Sequence, residues 1–150
     1  VKGPYKKKMR KVSKALQTKS ILVVDDNPLI TRVLKKMLSG CRCITEASNG
    51  EEAVTLVEGS LRDSDGGFDL IFMDCLMPVM DGYEATRLIR QLGFTKPILA
   101  LTGNSSELDS EKMAEVGFDH IFVKPIRPDD LFNLVMTWID DSRRHEPRDT

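Results

Sequence analysis

The chain has 150 residues, of which 41% are hydrophobic and 30% charged, and its formal net charge is −1. This size and apolar content predict a single domain with one core, and no apolar run approaches the roughly 20 residues that a membrane span requires. The three cysteines lack CxxC spacing, which argues against a disulfide framework or a structural zinc site. We therefore expect a cytoplasmic protein, which leaves open a parent chain anchored in a membrane.

The charge is distributed unevenly along the chain. Residues 1–19 carry eight Lys or Arg and no acidic residue, whereas the remainder carries 23 acids and 14 bases. Met9, Val12 and Leu16 lie at near-helical spacing within this segment, but the charge favours a solvated linker. Binding to nucleic acid or anionic lipid through charge is an alternative, although no aromatic platform accompanies it. The predicted division is a basic extension or linker over 1–19, a domain over 20–140 and a polar tail over 141–150.

Five short runs have the composition and the flanking turn residues of β-strands. Four apolar runs predict buried strands: Ile21–Val24, Leu70–Met73, Ile98–Leu101 and Ile121–Val123. The fifth run, Arg42–Ala47, is more polar and suits the edge of a sheet. The chain therefore contains enough strands for one open sheet.

Helical patterns with apolar residues at spacings of three and four follow these runs. The stripes comprise Leu29, Ile30, Val33, Leu34, Met37 and Leu38 after Pro28; Ala53, Val54, Leu56 and Val57; Ala85, Leu88, Ile89 and Leu92; and Leu131, Leu134, Val135 and Trp138. The segment Ser105–Val116 has a thin apolar stripe, which predicts the least firmly docked helix. Strand and helix thus alternate five times.

This alternation predicts an α/β fold in which a doubly wound parallel sheet is joined by right-handed crossovers. The polar second strand favours an edge position, as in the flavodoxin-like (βα)5 order 2-1-3-4-5. We expect one domain of this kind.

Polar residues follow four of the predicted strands, where Asp25 and Asp26, Asp74, Thr102 and Lys124 stand. Parallel strands end at one edge of a sheet, so these side chains should converge there. Each residue alone is weak evidence, because an acidic pair after a strand is more often a solvated turn. Their joint placement indicates a site.

Crowded carboxylates repel one another unless a cation relieves the cluster, and oxygen ligands favour Mg²⁺. With a metal bound, one carboxylate remains to act as a nucleophile toward phosphorus, while an ammonium and a hydroxyl stabilise the phosphoryl oxygens. The cluster therefore predicts phosphoryl transfer.

Four motifs carry a resemblance to a known family: Ile-Leu-Val-Val-Asp-Asp-Asn, Met-Asp-Cys-Leu-Met-Pro-Val-Met-Asp-Gly, Ala-Leu-Thr-Gly and Val-Lys-Pro-Ile. In their order and spacing they resemble the receiver domain of two-component response regulators, over about residues 20–140. The stretch that begins at Met73 is most similar to receivers of hybrid sensor histidine kinases.

The resemblance implies a role for each site residue. Asp74 would accept a phosphoryl group from a phosphohistidine, and Mg²⁺ would be held by Asp25, Asp26, Asp74 and the carbonyl of Leu76. Thr102 and Lys124 would contact the acyl phosphate, and the peptide before Pro125 would be cis. The implied partner is a histidine kinase domain or a histidine phosphotransfer protein.

The chain departs from the family at Ile121, where many members have an aromatic residue that moves together with the residue matching Thr102. These two positions form the predicted switch. We expect a signalling domain that catalyses its own phosphorylation and slow dephosphorylation, in a parent chain that could be a histidine kinase.

Three alternatives stay open: a receiver that binds partners constitutively, a homodimer, and redox control through Cys75, for which a small buried side chain is the simpler interpretation. A phosphatase of the haloacid dehalogenase class would need an acid at position 76, where Leu stands.

Overall fold

The computed structural model describes residues 2–63, 67–103 and 110–139. The strands are β1 (Ser20–Val24), β2 (Cys43–Ala47), β3 (Leu70–Asp74), β4 (Ile98–Thr102) and β5 (His120–Val123). The helices are α1 (Lys2–Leu16), α2 (Pro28–Met37), α3 (Gly50–Leu61), α4 (Gly82–Gln91), α5 (Ser110–Val116) and α6 (Pro128–Leu134), which continues as a π-helical turn over Val135–Ile139. Within these ranges, no helix is both long and apolar enough to cross a membrane.

The five strands form one parallel sheet in the order β2-β1-β3-β4-β5. This order confirms the predicted flavodoxin-like topology. The central strands β1, β3 and β4 are buried along their whole length. Helices cover both faces of a doubly wound sheet, so the central strands are apolar on both sides.

Alternation along the strands divides the interior into two cores. Leu22 and Ile71 point to the core that α3, α4 and α5 cover, whereas Val23 and Phe72 point to the core that α1, α2 and α6 cover. Several helices start at a side-chain cap: Asn27, Asn49 and Asp81 each accept a hydrogen bond from a backbone N–H in the first turn. Such caps are worth about 1 kcal/mol each.

Two burial predictions are wrong. The stripe of α2 splits, because Leu34 and Leu38 are buried whereas Leu29 and Val33 are 63% and 50% exposed. Strand β5 lies at the edge of the sheet and is only partly covered, with Val123 43% exposed. The predicted start of the fifth helix at Ser105 lies outside the described residues.

The prediction of a solvated linker is wrong for the segment that forms α1. This helix packs against α6 and the π-helical turn. Its residues Val12 and Leu16 are 1% and 0% exposed, so both belong to the core. Lys8 lies 3.6 Å from the Asp129 carboxylate and 5.2 Å from the centre of the Phe132 ring. The basic segment is thus a structural part of the fold.

We predict that Leu16→Ala lowers the free energy of unfolding by about 3 kcal/mol, because it empties a fully buried site. Lys14→Ala, on the exposed side of the same helix, should change it by less than about 0.5 kcal/mol. Urea denaturation of both variants measures the difference. Equal effects would mean that α1 does not pack against the core.

Candidate functional site

The strand register brings the predicted residues to one edge of the sheet. Val24 of β1 pairs with Met73 of β3, so Asp25 and Asp74 follow at the same level. On β4, Thr102 pairs with Val123, and its carbonyl accepts a hydrogen bond of 2.7 Å from the backbone N–H of Lys124. The convergence predicted from the strand ends is therefore present.

Three carboxylates are clustered at this edge. One oxygen each from Asp25, Asp26 and Asp74 lie within 4.8 Å of one another. Asp25 and Asp74 are buried, whereas Asp26 is exposed. The backbone N–H of Asn27 donates to Oδ1 of Asp25 at 2.9 Å and holds that carboxylate in place. The cluster therefore has an interior pair and one member in contact with solvent.

The Lys124 ammonium joins the two buried carboxylates. Its Nζ lies 2.8 Å from Oδ2 of Asp25 and 3.3 Å from Oδ1 of Asp74. Burial lowers the pKa of Lys124, but its contacts with the two carboxylates outweigh burial and raise the pKa above its ordinary value. Lys124 therefore remains charged at neutral pH.

The Asp74 carboxylate is the perturbed acid of the site. Burial, followed by repulsion from Asp25, raises its pKa to about 6, while Lys124 acts in the opposite direction. At pH 7 most Asp74 side chains are therefore ionised, although at a cost in electrostatic energy. A cation placed among the carboxylates would remove part of that cost.

The donor set fits a hard divalent cation. The buried Oδ2 of Asp25 contacts the Lys124 ammonium at 2.8 Å. Asp26 and Asp74 supply further carboxylate oxygens, as Mg²⁺ prefers. The backbone N–H of Leu76 donates to Oδ1 of Asp74 at 3.4 Å. The role of the Leu76 carbonyl as a ligand stays a prediction.

The loop after Asp74 is tightly constrained. A Cβ atom at Gly82 would overlap the carbonyl oxygen of Asp74, so only glycine fits there. Val79 has a positive φ of 71° and is 76% exposed, which is strained for a β-branched residue. Met77 and Met80 pack against the core, as their loop-packing interpretation predicts, but Val79 does not. An exposed apolar side chain therefore stands near the acceptor.

The predicted switch residues lie on neighbouring strands. Thr102 is buried at the end of β4, and Ile121 on β5 is half-buried against the core beneath α3, α4 and α5. Ala100 pairs with Ile121 in the register, two residues before Thr102. The peptide between Lys124 and Pro125 is cis, as the resemblance implies.

The Cys75 thiol is buried beside the acceptor. Burial, together with the neighbouring Asp74 charge, raises its pKa to about 11. A thiol with so high a pKa is a poor nucleophile and reacts slowly with oxidants. The interpretation of Cys75 as a small buried side chain is therefore favoured over a redox switch.

Two features of the site were not predicted from the sequence motifs. Asn27 caps α2 and fixes Asp25 through its backbone N–H, and its position before Pro28 was an available signal for the cap. The exposure of Leu29 could not have been predicted from the sequence, because Leu29 has the same helical spacing as the buried apolar residues of α2.

A family comparison decides what this arrangement is. The model of the response regulator receiver domain matches residues 21–136. The chain belongs to this family. The receiver domains of two-component systems interact with histidine kinases or phosphotransfer proteins, and the resemblance predicted from the motifs is confirmed.

Curated relatives of this receiver domain include much longer proteins. Two-component system protein A of Emericella nidulans is 39% identical over 122 residues, which cover 80% of the chain and 17% of the relative. Two-component response regulator ORR41 of Oryza sativa subsp. japonica is 39% identical over 114 residues, 74% of the chain and 87% of the relative. The chain spans 11% of a probable histidine kinase 2 from rice.

Solved structures of receiver domains have the same fold. The receiver of the histidine kinase CKI1 from Arabidopsis thaliana, complexed with Mg²⁺ and BeF₃⁻, has a TM-score of 0.71 and 32% identity, covering 86% of this chain and 97% of that one. The receiver of sensor histidine kinase PA1611 from Pseudomonas aeruginosa PAO1, with magnesium in its active site cleft, has a TM-score of 0.68 and 36% identity, covering 81% and 98%.

We predict that Asp74→Asn stabilises the protein by about 1–2 kcal/mol at pH 7.5, because it removes a carboxylate that burial and Asp25 disfavour. The folded pKa is raised, so the folded wild type binds more protons than the unfolded chain between about pH 4 and 6. Wild-type stability therefore falls as pH rises through this window. The advantage of the variant should grow across it and level off above about pH 6.

Urea denaturation between pH 4 and 8 measures this effect. Asp63→Asn, which changes an exposed aspartate outside the site, should alter stability by less than about 0.5 kcal/mol at every pH. A pH-independent advantage of Asp74→Asn would contradict the assignment of a perturbed carboxylate.

Proposed function

We propose that this receiver domain accepts a phosphoryl group on Asp74 from a phosphohistidine, and that Mg²⁺ is its cofactor. The observation that carries the proposal is the buried Asp74 carboxylate, 3.3 Å from the Lys124 ammonium and clustered with Asp25 and Asp26. A fixed cation beside a nucleophilic carboxylate, with acidic ligands for a metal, is what phosphoryl transfer requires. The Mg²⁺ in the two similar receiver structures supports the same cofactor here.

The chemistry exchanges one bond for another. An oxygen of Asp74 attacks phosphorus as the bond from phosphorus to the histidine nitrogen breaks, and the electron pair of that bond remains on the imidazole, which can take up a proton. Because the attack needs the carboxylate form, a pKa of about 6 keeps Asp74 competent at neutral pH.

Four residues besides Asp74 prepare the acceptor for this step. Lys124 faces both buried carboxylates and balances the charge that accumulates on the phosphoryl oxygens. The hydroxyl of Thr102, one strand away, would donate to one of those oxygens. Asp25, Asp26 and Asp74 would hold Mg²⁺, which when bound neutralises charge on the phosphoryl group.

The same groups support a switch. Phosphorylation would draw Thr102 toward the new phosphoryl oxygens and alter the loop that follows β4. Ile121 lies on the neighbouring strand, two positions before Val123, which pairs with Thr102. It is aliphatic and half-buried, so it would adjust by rotamer and packing changes. The output would then be a change in the affinity for a protein partner, in a cytoplasmic setting.

The experiment is intact mass measurement after incubation with acetyl phosphate, with and without Mg²⁺. The wild type should gain one phosphoryl adduct that depends on Mg²⁺, and Asp74→Asn should gain none. Asp63→Asn should label like the wild type. Absence of the adduct, in a run where another receiver labels, would reject phosphoryl acceptance and favour a constitutive interaction module.

A further prediction concerns Leu76, which we expect to limit the access of water to the phosphoryl group. Its side chain is 61% exposed, two residues after the acceptor. We expect Leu76→Asn to shorten the lifetime of the acyl phosphate roughly threefold or more, because a small polar side chain can hold a water near phosphorus. A threefold change in rate corresponds to about 0.7 kcal/mol in the activation free energy of hydrolysis.

The decay of the phosphorylated protein, followed by mass, measures that lifetime. Val79→Asn is the matched control, since it makes the same chemical change at an exposed position of the same loop, in a conformation that asparagine tolerates. A lifetime in Leu76→Asn that is unchanged or longer would contradict the role of Leu76.

A further inference from the structure

Helix α4 begins directly against the end of the acceptor strand. The backbone N–H of Gly82 donates to the carbonyl oxygen of Cys75 at 3.0 Å, and the carbonyl oxygen of Asp74 occupies the space that a side chain at Gly82 would need. Both contacts involve the backbone, so they do not depend on a flexible side chain. The first turn of α4 therefore follows the position of the acceptor and of the residue after it.

Tyr83, the second residue of α4, joins this strand end to α5. Its hydroxyl donates a hydrogen bond to the sulfur of Cys75. Its ring meets the ring of Phe118 edge to face, with 6.0 Å between the centroids, and Nζ of Lys112 lies 4.7 Å from the centre of the Tyr83 ring. Lys112 belongs to the first turn of α5, and Phe118 follows its last residue. One side chain thus contacts both the acceptor strand and α5.

Helix α5 is held firmly at one end only. Among the α5 residues whose burial the structure describes, Met113 alone is buried. Beyond the last turn, Arg90 of α4 donates to the carbonyl oxygen of Gly117 at 2.8 and 3.0 Å and to the Asp119 carboxylate at 2.8 Å. At the first turn, α4 offers the ring of Tyr83 to a cation, which is a weaker contact. The first turn of α5 can therefore move while its far end stays in place.

We propose that Tyr83 is a positioning residue that couples the state of Asp74 to α5. A phosphoryl group on Asp74 adds bulk and charge at the strand end, so Cys75 shifts and draws the Tyr83 hydroxyl with it. The Tyr83 ring then leaves Lys112, and the first turn of α5 loosens while Arg90 holds the far end. This inference rests on the proposed phosphoacceptor function and assigns a route to its switch.

The chemistry of the side chains favours this route over one through Ile121. Ile121 is aliphatic and packs in the core, so it can neither donate a hydrogen bond nor bind a cation. Tyr83 does both, and its two partners lie on the two elements that a switch must connect. The remaining alternative is a direct pull of Thr102 on the loop after β4, which does not involve Tyr83.

The experiment measures amide hydrogen exchange of Ser110–Val116 in the full chain with Mg²⁺, in the presence and absence of acetyl phosphate. Phosphorylation should raise the exchange rate of the wild type about threefold, because loss of a cation–ring contact favours opening of the helix by about that factor. Tyr83→Phe keeps the ring and removes the hydroxyl. Its exchange without acetyl phosphate should equal that of the wild type, whereas the increase should fall below about 1.5-fold.

A second substitution tests the other side of the same hydrogen bond. Cys75→Ala should reduce the increase as much as Tyr83→Phe does, and the double variant should lose no more, because both changes break one contact. Tyr5→Phe is the matched control. It makes the same chemical change in α1, which packs against the core on the other face of the sheet, and it should leave the threefold increase intact.

Intact mass, measured on the same samples, separates the two ways in which the inference can fail. If the wild type gains no phosphoryl adduct, the phosphoacceptor function itself fails. If the adduct forms but exchange of α5 does not rise, or rises equally in Tyr83→Phe, coupling through Tyr83 is rejected. A reduced increase in only one of Tyr83→Phe and Cys75→Ala would reject the contact between them as the link. Faster exchange in Tyr83→Phe before phosphorylation, with an unchanged response, would overturn the proposal in favour of a purely structural role.

Discussion

The contact between one ammonium and two buried carboxylates is the interaction on which the site depends. Three parallel strands deliver Asp25, Asp74 and Thr102 to one edge, and a fourth delivers Lys124, so the fold forces like charges together. Without Lys124 at 2.8 and 3.3 Å, the two interior carboxylates would face each other with little compensation. Even with it, the pKa of Asp74 remains raised to about 6, which leaves electrostatic energy for a metal and a phosphoryl group to change. The positive charge of Lys124 therefore neutralises the two buried carboxylates only in part.

Lys124 also connects this charge balance to the packing of the rest of the domain. The chain passes from Lys124 through Pro125 and Ile126 to Pro128, where α6 begins, and α6 carries the contacts of Asp129 and Phe132 with Lys8 of α1. The stretch from Lys124 to Phe132 thus contacts the acceptor Asp74 at one end and α1 at the other. Buried residues of α1 close the core there, so α1 is held against α6 by hydrophobic burial and is oriented by the charge contact.

The sheet and the acceptor site could be predicted because each depends on signals that lie close together in the chain. Apolar runs such as Leu70–Met73 indicate buried strands, and the polar residue that ends each run must fall at the shared edge. The docking of α1 could not be predicted in this way, since Val12 and Leu16 are covered by residues more than 100 positions later and their stripe is diluted by cations. The exposure of Leu29 and Val33 could not be predicted for a different reason. Periodicity identifies the apolar positions of a helix, but which of them meet the core depends on the angle at which the helix crosses the sheet.

The unexpected exposure of Leu29 and Val33 is informative about function. Burying Leu29 and Val33 would have favoured folding, so their place on the surface beside an acidic acceptor points to a partner that covers them. In the proposed reaction, a partner brings a phosphorylated, anionic histidine toward three carboxylates that one ammonium only partly offsets, and this repulsion opposes encounter. Charges are screened beyond about 8 Å at physiological ionic strength, so compensation must come from cations on the docking surface itself.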